Sequence, residues 1–320
     1  MTTTLVQPVR AARVPQAYGT ILVCGGGCYG GYYVRQLARA VQGGALACER
    51  VVVLDRDPHA PVARLVAALA SGDLHAARAL LWRPPVMLPV APEAAPGPTA
   101  AVAAPLVARE DEDAATRARL DADLDAVRAL PLDVAIAPWD ASVPAWLDRA
   151  AADPATHARD ALVPSPLMPH LTAEWVAARL SAARGGADVV RESLPVPPAT
   201  PWERAADDGS AHYASFATWI CPINCVEPAT CPHTRGPRDW SMPVVAARLV
   251  ADAAAARRPI DAVAVFHTEH RTHGVGMFDL ATAARAARAI EALPTGRTVR
   301  VLVGSVSHCH GAFALLAAVR

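Results

Sequence analysis

The chain has 320 residues, with 30 basic and 30 acidic side chains and a formal net charge of zero. Every basic residue is arginine, which excludes a Walker-type phosphate loop, a protein-kinase site and Schiff-base or PLP-lysine chemistry, since each needs a lysine. Zero net charge gives no electrostatic ground for a nucleic-acid or anionic-membrane partner, and no charge-free apolar run reaches the roughly 18 residues of a membrane span.

At 53% hydrophobic residues the chain can bury a large core, and its length suggests about two domains of roughly 100–200 residues each. The composition is biased toward Ala, Arg, Pro and Asp, and Asn224 is the lone asparagine. The N-terminus lacks the apolar stretch of a secretory signal. Seven cysteines, an odd number, fit a cytoplasmic protein with metal or redox thiols better than a disulfide scaffold.

In chain order, residues 19–24 read as a short buried strand, followed by a glycine-rich turn, a helix over 32–41 and a second buried strand over 51–55. This is a βαβ unit. Residues 61–81 are helix-like with a break near Ser71-Gly72, and 83–108 form a Pro/Ala-rich insertion. A charged helix is expected over 108–130, a short strand over 132–137, a short helix around 144–151, a strand over 161–163 and a helix over 171–184. Apolar strands alternating with helices predict a doubly wound parallel sheet. The domain boundary is placed near Gly185-Gly186, giving units 1–185 and 186–320. The second unit, a smaller α/β domain with a Cys/His-rich site, should contain strands over 212–220, 261–266 and 297–303. Its helices are expected over 243–257, 280–293 and 311–319.

The turn Gly25-Gly26-Gly27-Cys28-Tyr29-Gly30 fits G-x-G-x-x-G. Gly25 permits the tight turn, Gly27 lets a pyrophosphate approach the backbone, and Gly30 lets helix pack on strand. The helix N-terminus then offers N–H groups to phosphate. Asp55 closes the second strand, where an acid can bind ribose hydroxyls. Arg56 beside it could instead accept a 2′-phosphate, so NAD and NADP both remain open. Over residues 19–57 the chain resembles the Rossmann-fold NAD(P)-binding superfamily. The resemblance implies dinucleotide binding at Gly25, Gly27, Gly30 and Asp55. Cys28 at the helix start could have a lowered thiol pKa, or could be a small residue packed beside phosphate.

The segment Trp219-Ile-Cys221-Pro-Ile-Asn-Cys225-Val-Glu-Pro-Ala-Thr-Cys231-Pro-His233 carries three cysteines at C-x3-C-x5-C spacing, two of them followed by proline. Closely spaced thiolates on a proline-stiffened loop suit an iron–sulfur cluster or zinc. The spacing matches neither the usual ferredoxin run nor the zinc C-x2-C pair, so redox or structural thiols stay open. Cys309 and His233 are the candidates for a fourth ligand: Cys309 would suit a cluster, and His233 would favour zinc. Glu227 is a harder, weaker candidate.

His267-Thr-Glu-His270-Arg-Thr-His273 follows one expected strand, and Ser307-His308-Cys309-His310 follows another. A helix between parallel strands puts both loops at the carboxyl edge of one sheet. His267, His270, His308 and His310 are therefore candidate catalytic residues, with Glu269 and Arg271 able to orient a substrate. Exposed loop histidines or helix caps are the plainer alternative.

Taken together, these features lead to an expected NAD(P)-dependent oxidoreductase. It would have a cysteine-ligated iron–sulfur or zinc centre, act on a small molecule, and work with or without a redox partner. The alternatives are a non-enzymatic nucleotide or redox sensor with structural metal, and an insertase-like metal-handling enzyme.

Overall fold

The computed structural model describes residues 16–81, 114–164, 169–219, 221 and 225–318. The Pro/Ala-rich insertion over 83–108 and the lone Asn224 lie outside them. The described residues form a mixed α/β structure with two mixed sheets and eight helices.

The first sheet begins with β1 (Gln16–Cys24), β2 (Leu46–Asp55), β3 (Leu132–Ile136) and β4 (Ala161–Val163). These four are parallel, in the spatial order β3-β2-β1-β4. Successive residues of β1 face opposite ways. Ile21 and Val23 pack with α1 (Cys28–Gln42), α2 (Pro61–Ser71), α3 (Leu74–Leu81) and α4 (Ala114–Ala129). Leu22 and Cys24 pack on the other face with α5 (Trp139–Ala152), α6 (Pro169–Ala183) and α8 (Ala281–Glu291). The expected interruption near Ser71-Gly72 is the break between α2 and α3, where Gly72 takes φ +79° as a left-handed cap.

The second sheet has the order β6 (Trp202–Ala205), β7 (His212–Ser215), β12 (His310–Ala318), β11 (Val299–Val306), β8 (Ala262–His267), with β5 (Val189–Glu192) also on β12. Its inner face, with Ala264, Phe266, Val301, Val303 and Leu316, meets the same α5, α6 and α8 layer. Trp175 of α6 meets Phe266 edge-on with centroids 6.1 Å apart. Its outer face, with Leu302, Val306 and Phe313, is covered by α7 (Met242–Ala255). One layer of three helices is thus shared by both sheets.

The sheets are not purely parallel, contrary to the expectation from the sequence: β10 (Val275–Asp279) runs antiparallel to β4 and extends the first sheet, with β9 (Glu269–Thr272) antiparallel beyond it. The expected loop 267–273 is therefore largely strand. Residues 311–319, read as a final helix from their Ala/Leu content, form strand β12 up to Ala318. This strand is paired with β11 on one side and with β5 and β7 on the other. A short apolar run buried on both faces carries no period that separates strand from helix. The strand expected over 212–220 ends at Ser215. The boundary expected near residue 185 falls at a turn where Gly185 and Gly186 have positive φ, yet β9 and β10, far beyond it in sequence, pair into the first sheet.

Arg271 fastens that excursion. Its guanidinium donates to Asp279 (Nη2–Oδ2, 3.0 Å), Glu269 (Nε–Oε2, 3.1 Å) and the Tyr18 hydroxyl (2.7 Å). Burial opposes its charge, but the Asp279 carboxylate more than restores it and raises the pKa.

Candidate functional site

The glycine turn is tightly constrained. Gly25 has φ +91° and donates its N–H to the Leu54 carbonyl (2.8 Å). A Cβ on Gly30 would lie 1.7 Å from the Gly25 carbonyl oxygen, so only glycine fits there. A Cβ on Gly27 would meet nothing within 4 Å, leaving open space over the N-terminus of α1. Cys28 is the exposed first residue of that helix. Asp55 is buried and already engaged: its carboxylate accepts the N–H of Gly26 (2.6 Å) and of Asp57 (2.9 Å). It holds the turn in shape, a role the sequence did not reveal. Arg56 next to it is exposed. Trp139, bonded through Nε1 to the Leu54 carbonyl (2.8 Å), packs against Gly25.

The cysteines converge. Cys221, Cys225, Cys231 and Cys309 line one cavity of about 210 Å³ together with Trp219, Pro232, His233 and Arg238. His233 sits at the rim, stacked on Trp219 with centroids 4.4 Å apart and planes 6° apart. Two of the sulfurs, those of Cys225 and Cys309, accept N–H hydrogen bonds. Cys225 Sγ accepts from the Glu227 backbone (3.4 Å). Cys309 accepts from Arg238 Nη1 and from Trp240 Nε1, the latter at 3.3 Å. Arg238 and Trp240 were not singled out in the sequence. No spacing rule links them to Cys309, 69 and 71 residues away.

The thiols differ. Burial pushes Cys309 up to about 11 despite its two donors. Burial, then the neighbouring Cys225, raises Cys221. Cys231 is also penalised by burial, but the backbone N–H groups of Thr234 and His233 bring it below the usual thiol value. Among the described residues no group of three His, Cys, Asp or Glu side chains is placed to hold a single metal ion.

The other histidines lie beside the cysteine segments: His308 and His310 flank Cys309, and His270 contacts the Cys225 backbone. β8 and β11 are parallel, with His267 beside Val306, so their carboxyl ends lie together. His267 and His308 face each other with ring centroids 6.3 Å apart. Burial lowers the pKa of both, against the pull of Glu269 and Glu227 on His267 and of Glu227 on His308. Among the described residues, neither ring nitrogen of His267 has a hydrogen-bond partner. Glu227, held at φ +48°, accepts the His308 backbone N–H (3.2 Å). His310 places Nδ1 2.8 Å from Ser215 Oγ. His270, on β9 of the first sheet, places Nδ1 2.6 Å from the Cys225 carbonyl oxygen. It therefore braces the cysteine loop.

Strand register relates the two sites. Leu22 pairs with Leu162, Leu162 with Phe278, and Gly276 with His270. His270 thus lies level with the last residues of β1. β9 stands three strand spacings, about 14 Å, from β1.

A family model described as "Uncharacterized protein, C-terminal domain" matches residues 172–319. The matched stretch holds the four cavity cysteines and all the histidines above, and it excludes the glycine turn. No curated protein and no solved structure matches the chain. No helix among the described residues is long and apolar enough to cross a membrane.

Proposed function

We propose that the chain is an oxidoreductase that binds NAD or NADP at the glycine turn and an iron–sulfur cluster between Cys221, Cys225, Cys231 and Cys309. The observation that carries the proposal is the convergence of four thiols on one cavity, with N–H donors on the sulfurs of Cys225 and Cys309. Such bonds stabilise thiolate charge and tune a cluster's potential. A tetrahedral zinc at about 2.3 Å from each sulfur would need sulfurs only about 3.8 Å apart. Among the described residues no three donors are placed for one ion, which counts against a mononuclear zinc centre. A cluster would supply one-electron transfer, and the nicotinamide would supply hydride transfer.

Support for the nucleotide comes from the strand order β3-β2-β1-β4. It reverses between β1 and β4, the switch point at which open α/β sheets bind ligands beyond the strands' carboxyl ends, and the Rossmann-like assignment rests on this order. Gly27 leaves room for phosphate, and backbone N–H groups of α1 replace the absent lysine. Asp55 shapes the turn, and Arg56 is the exposed charge beside the ribose position.

The chain's own residues have separable tasks. Arg238 and Trp240 hold the Cys309 sulfur. His270 holds the Cys225 backbone. His267, neutral, without a hydrogen bond on either ring nitrogen and with Nδ1 3.8 Å from Glu269 Oε1, is suited to accept or return a substrate proton, with His308 and Glu227 near it. Anaerobic purification with iron and sulfide analysis, combined with NADH and NADPH titration, tests the proposal. Cluster-type absorbance and saturable binding of one nucleotide are expected. Their joint absence would overturn it.

A further inference from the structure

A second and larger cavity, about 340 Å³, lies on the inner face of the second sheet under the first turns of α6. Its floor is flat and made of small side chains. Val303 pairs with Ala314 and Ser305 with Ala312, so these four residues form a two-by-two patch on one face of β11 and β12. The cavity opens where the neighbour of β12 changes. β7 pairs with it through Phe313, and β5 takes over from Leu315.

The walls carry both signs of charge. Arg191 and Asp208 are held against one residue, Ser210: Arg191 Nη1 donates to its carbonyl (3.3 Å), and Asp208 Oδ1 accepts its N–H (2.9 Å). A cation and an anion are thereby anchored to the same residue. His170 and Glu174, one turn apart on α6, face them from the other wall. The face is shared with the site already described. His310 and Ser215 form the next cross-strand pair on that face, two residues beyond Ala312 and Tyr213, about 7 Å along the strands.

From this arrangement we infer that the cavity binds a small zwitterion with an amino-acid headgroup. Its carboxylate lies on Arg191, its ammonium on Asp208, and its apolar body on the Val303–Ala314 and Ser305–Ala312 floor. A volume near the low end of ligand pockets, roughly 300–1,000 Å³, fits one such molecule. That the bound zwitterion is the substrate rests on the oxidoreductase proposal, because the cavity leads toward His310. Binding itself does not.

The experiment uses the full chain and reads binding alone. The common L-amino acids are screened singly by ligand-observed NMR. The best binder is then compared with its carboxylic acid lacking the amine and its amine lacking the carboxylate. Saturable binding of at least one amino acid is expected, with a loss of at least tenfold for each analogue. Arg191→Gln and Asp208→Asn should each weaken binding by tenfold or more. Both side chains lie at the surface, so the thermal midpoint should hold. Arg128→Gln, an exposed residue of α4 outside the cavity lining, should retain binding. No saturable amino-acid binding, equal binding of the acid or the amine, or unchanged binding in both charge variants would overturn the inference. A colourless protein that still binds the zwitterion would sink the cluster proposal and leave this site standing.

Discussion

His270 Nδ1 lies 2.6 Å from the backbone carbonyl oxygen of Cys225. The contact crosses from β9, the edge strand of the first sheet, to the cysteine loop of the second. It ties a thiol ligand candidate to the sheet that carries the glycine turn. A single neutral hydrogen bond is worth about 1 kcal/mol net. His270→Ala should therefore lower the thermal midpoint by only a few degrees. The Cys225 loop loses its brace, so iron retained per chain after desalting should fall at least twofold. His270→Asn, which keeps a donor, should recover part of it. Iron content unchanged in both variants would show that the brace is dispensable.

The glycines separate folding from binding. Gly30→Ala places a methyl 1.7 Å from the Gly25 carbonyl oxygen, and backbone must move. A loss of more than about 2 kcal/mol is expected in chemical denaturation. Gly27→Ala meets nothing within 4 Å and should keep the wild-type midpoint. Its methyl occupies the space a pyrophosphate needs, so nucleotide affinity should drop tenfold or more by fluorescence titration. Wild-type affinity in Gly27→Ala would remove the phosphate from this turn.

This turn and the cysteine loop were legible in the sequence because both are local. Glycine positions fix backbone geometry within six residues, and three thiols sit on one short loop. The convergence of Cys309 and the two histidine loops followed from the parallel β8–β11 pair, which the intervening helix implied. Arg238, Trp240 and the Gly26–Asp55 bond were not legible, since each joins residues far apart in sequence through packing alone. The β9–β10 hairpin was hidden for a related reason. Its residues read as a polar histidine loop, and only pairing with β4 makes them strand. β12 misled by composition: alanine and leucine favour helix, and two-sided sheet pairing overrides that preference.

The hydrogen bonds to Cys309 set a redox prediction. Trp240→Phe removes the Nε1 donor at 3.3 Å while keeping an aromatic ring. N–H donors favour the more negative, reduced state of a thiolate-ligated centre. The midpoint potential should shift downward, on the order of tens of millivolts for a bond of about 1 kcal/mol. Spectroelectrochemical titration reads the shift, and an unmoved or raised potential would contradict it.

Acid stability should depend on Glu192. Its carboxylate accepts from Arg300 Nε (2.7 Å) and Arg258 Nη2 (2.7 Å). The Arg300 hydrogen bond, ahead of the Arg258 contribution, holds its pKa below the usual glutamate value despite some burial. The folded state thus favours the ionised form. Its stabilising contribution is fully present above the unfolded-state pKa and is lost as pH falls through the lower folded-state value. The stability gap between wild type and Glu192→Gln should be widest near neutrality and close below about pH 4. Urea denaturation across pH measures it, and a gap that widens in acid would reverse the sign.

Cys221, Cys225, Cys231 and Cys309 are proposed to hold one iron–sulfur cluster. The most direct test of this is the visible spectrum of anaerobically purified protein, with iron and acid-labile sulfide counted per chain, for wild type, Cys309→Ser and Cys28→Ser. A brown protein with near-equal iron and sulfide is expected for wild type and Cys28→Ser, with loss of colour and of most iron in Cys309→Ser. A colourless wild type without iron after anaerobic reconstitution with iron and sulfide, or a Cys309→Ser variant that keeps its full colour, would contradict it.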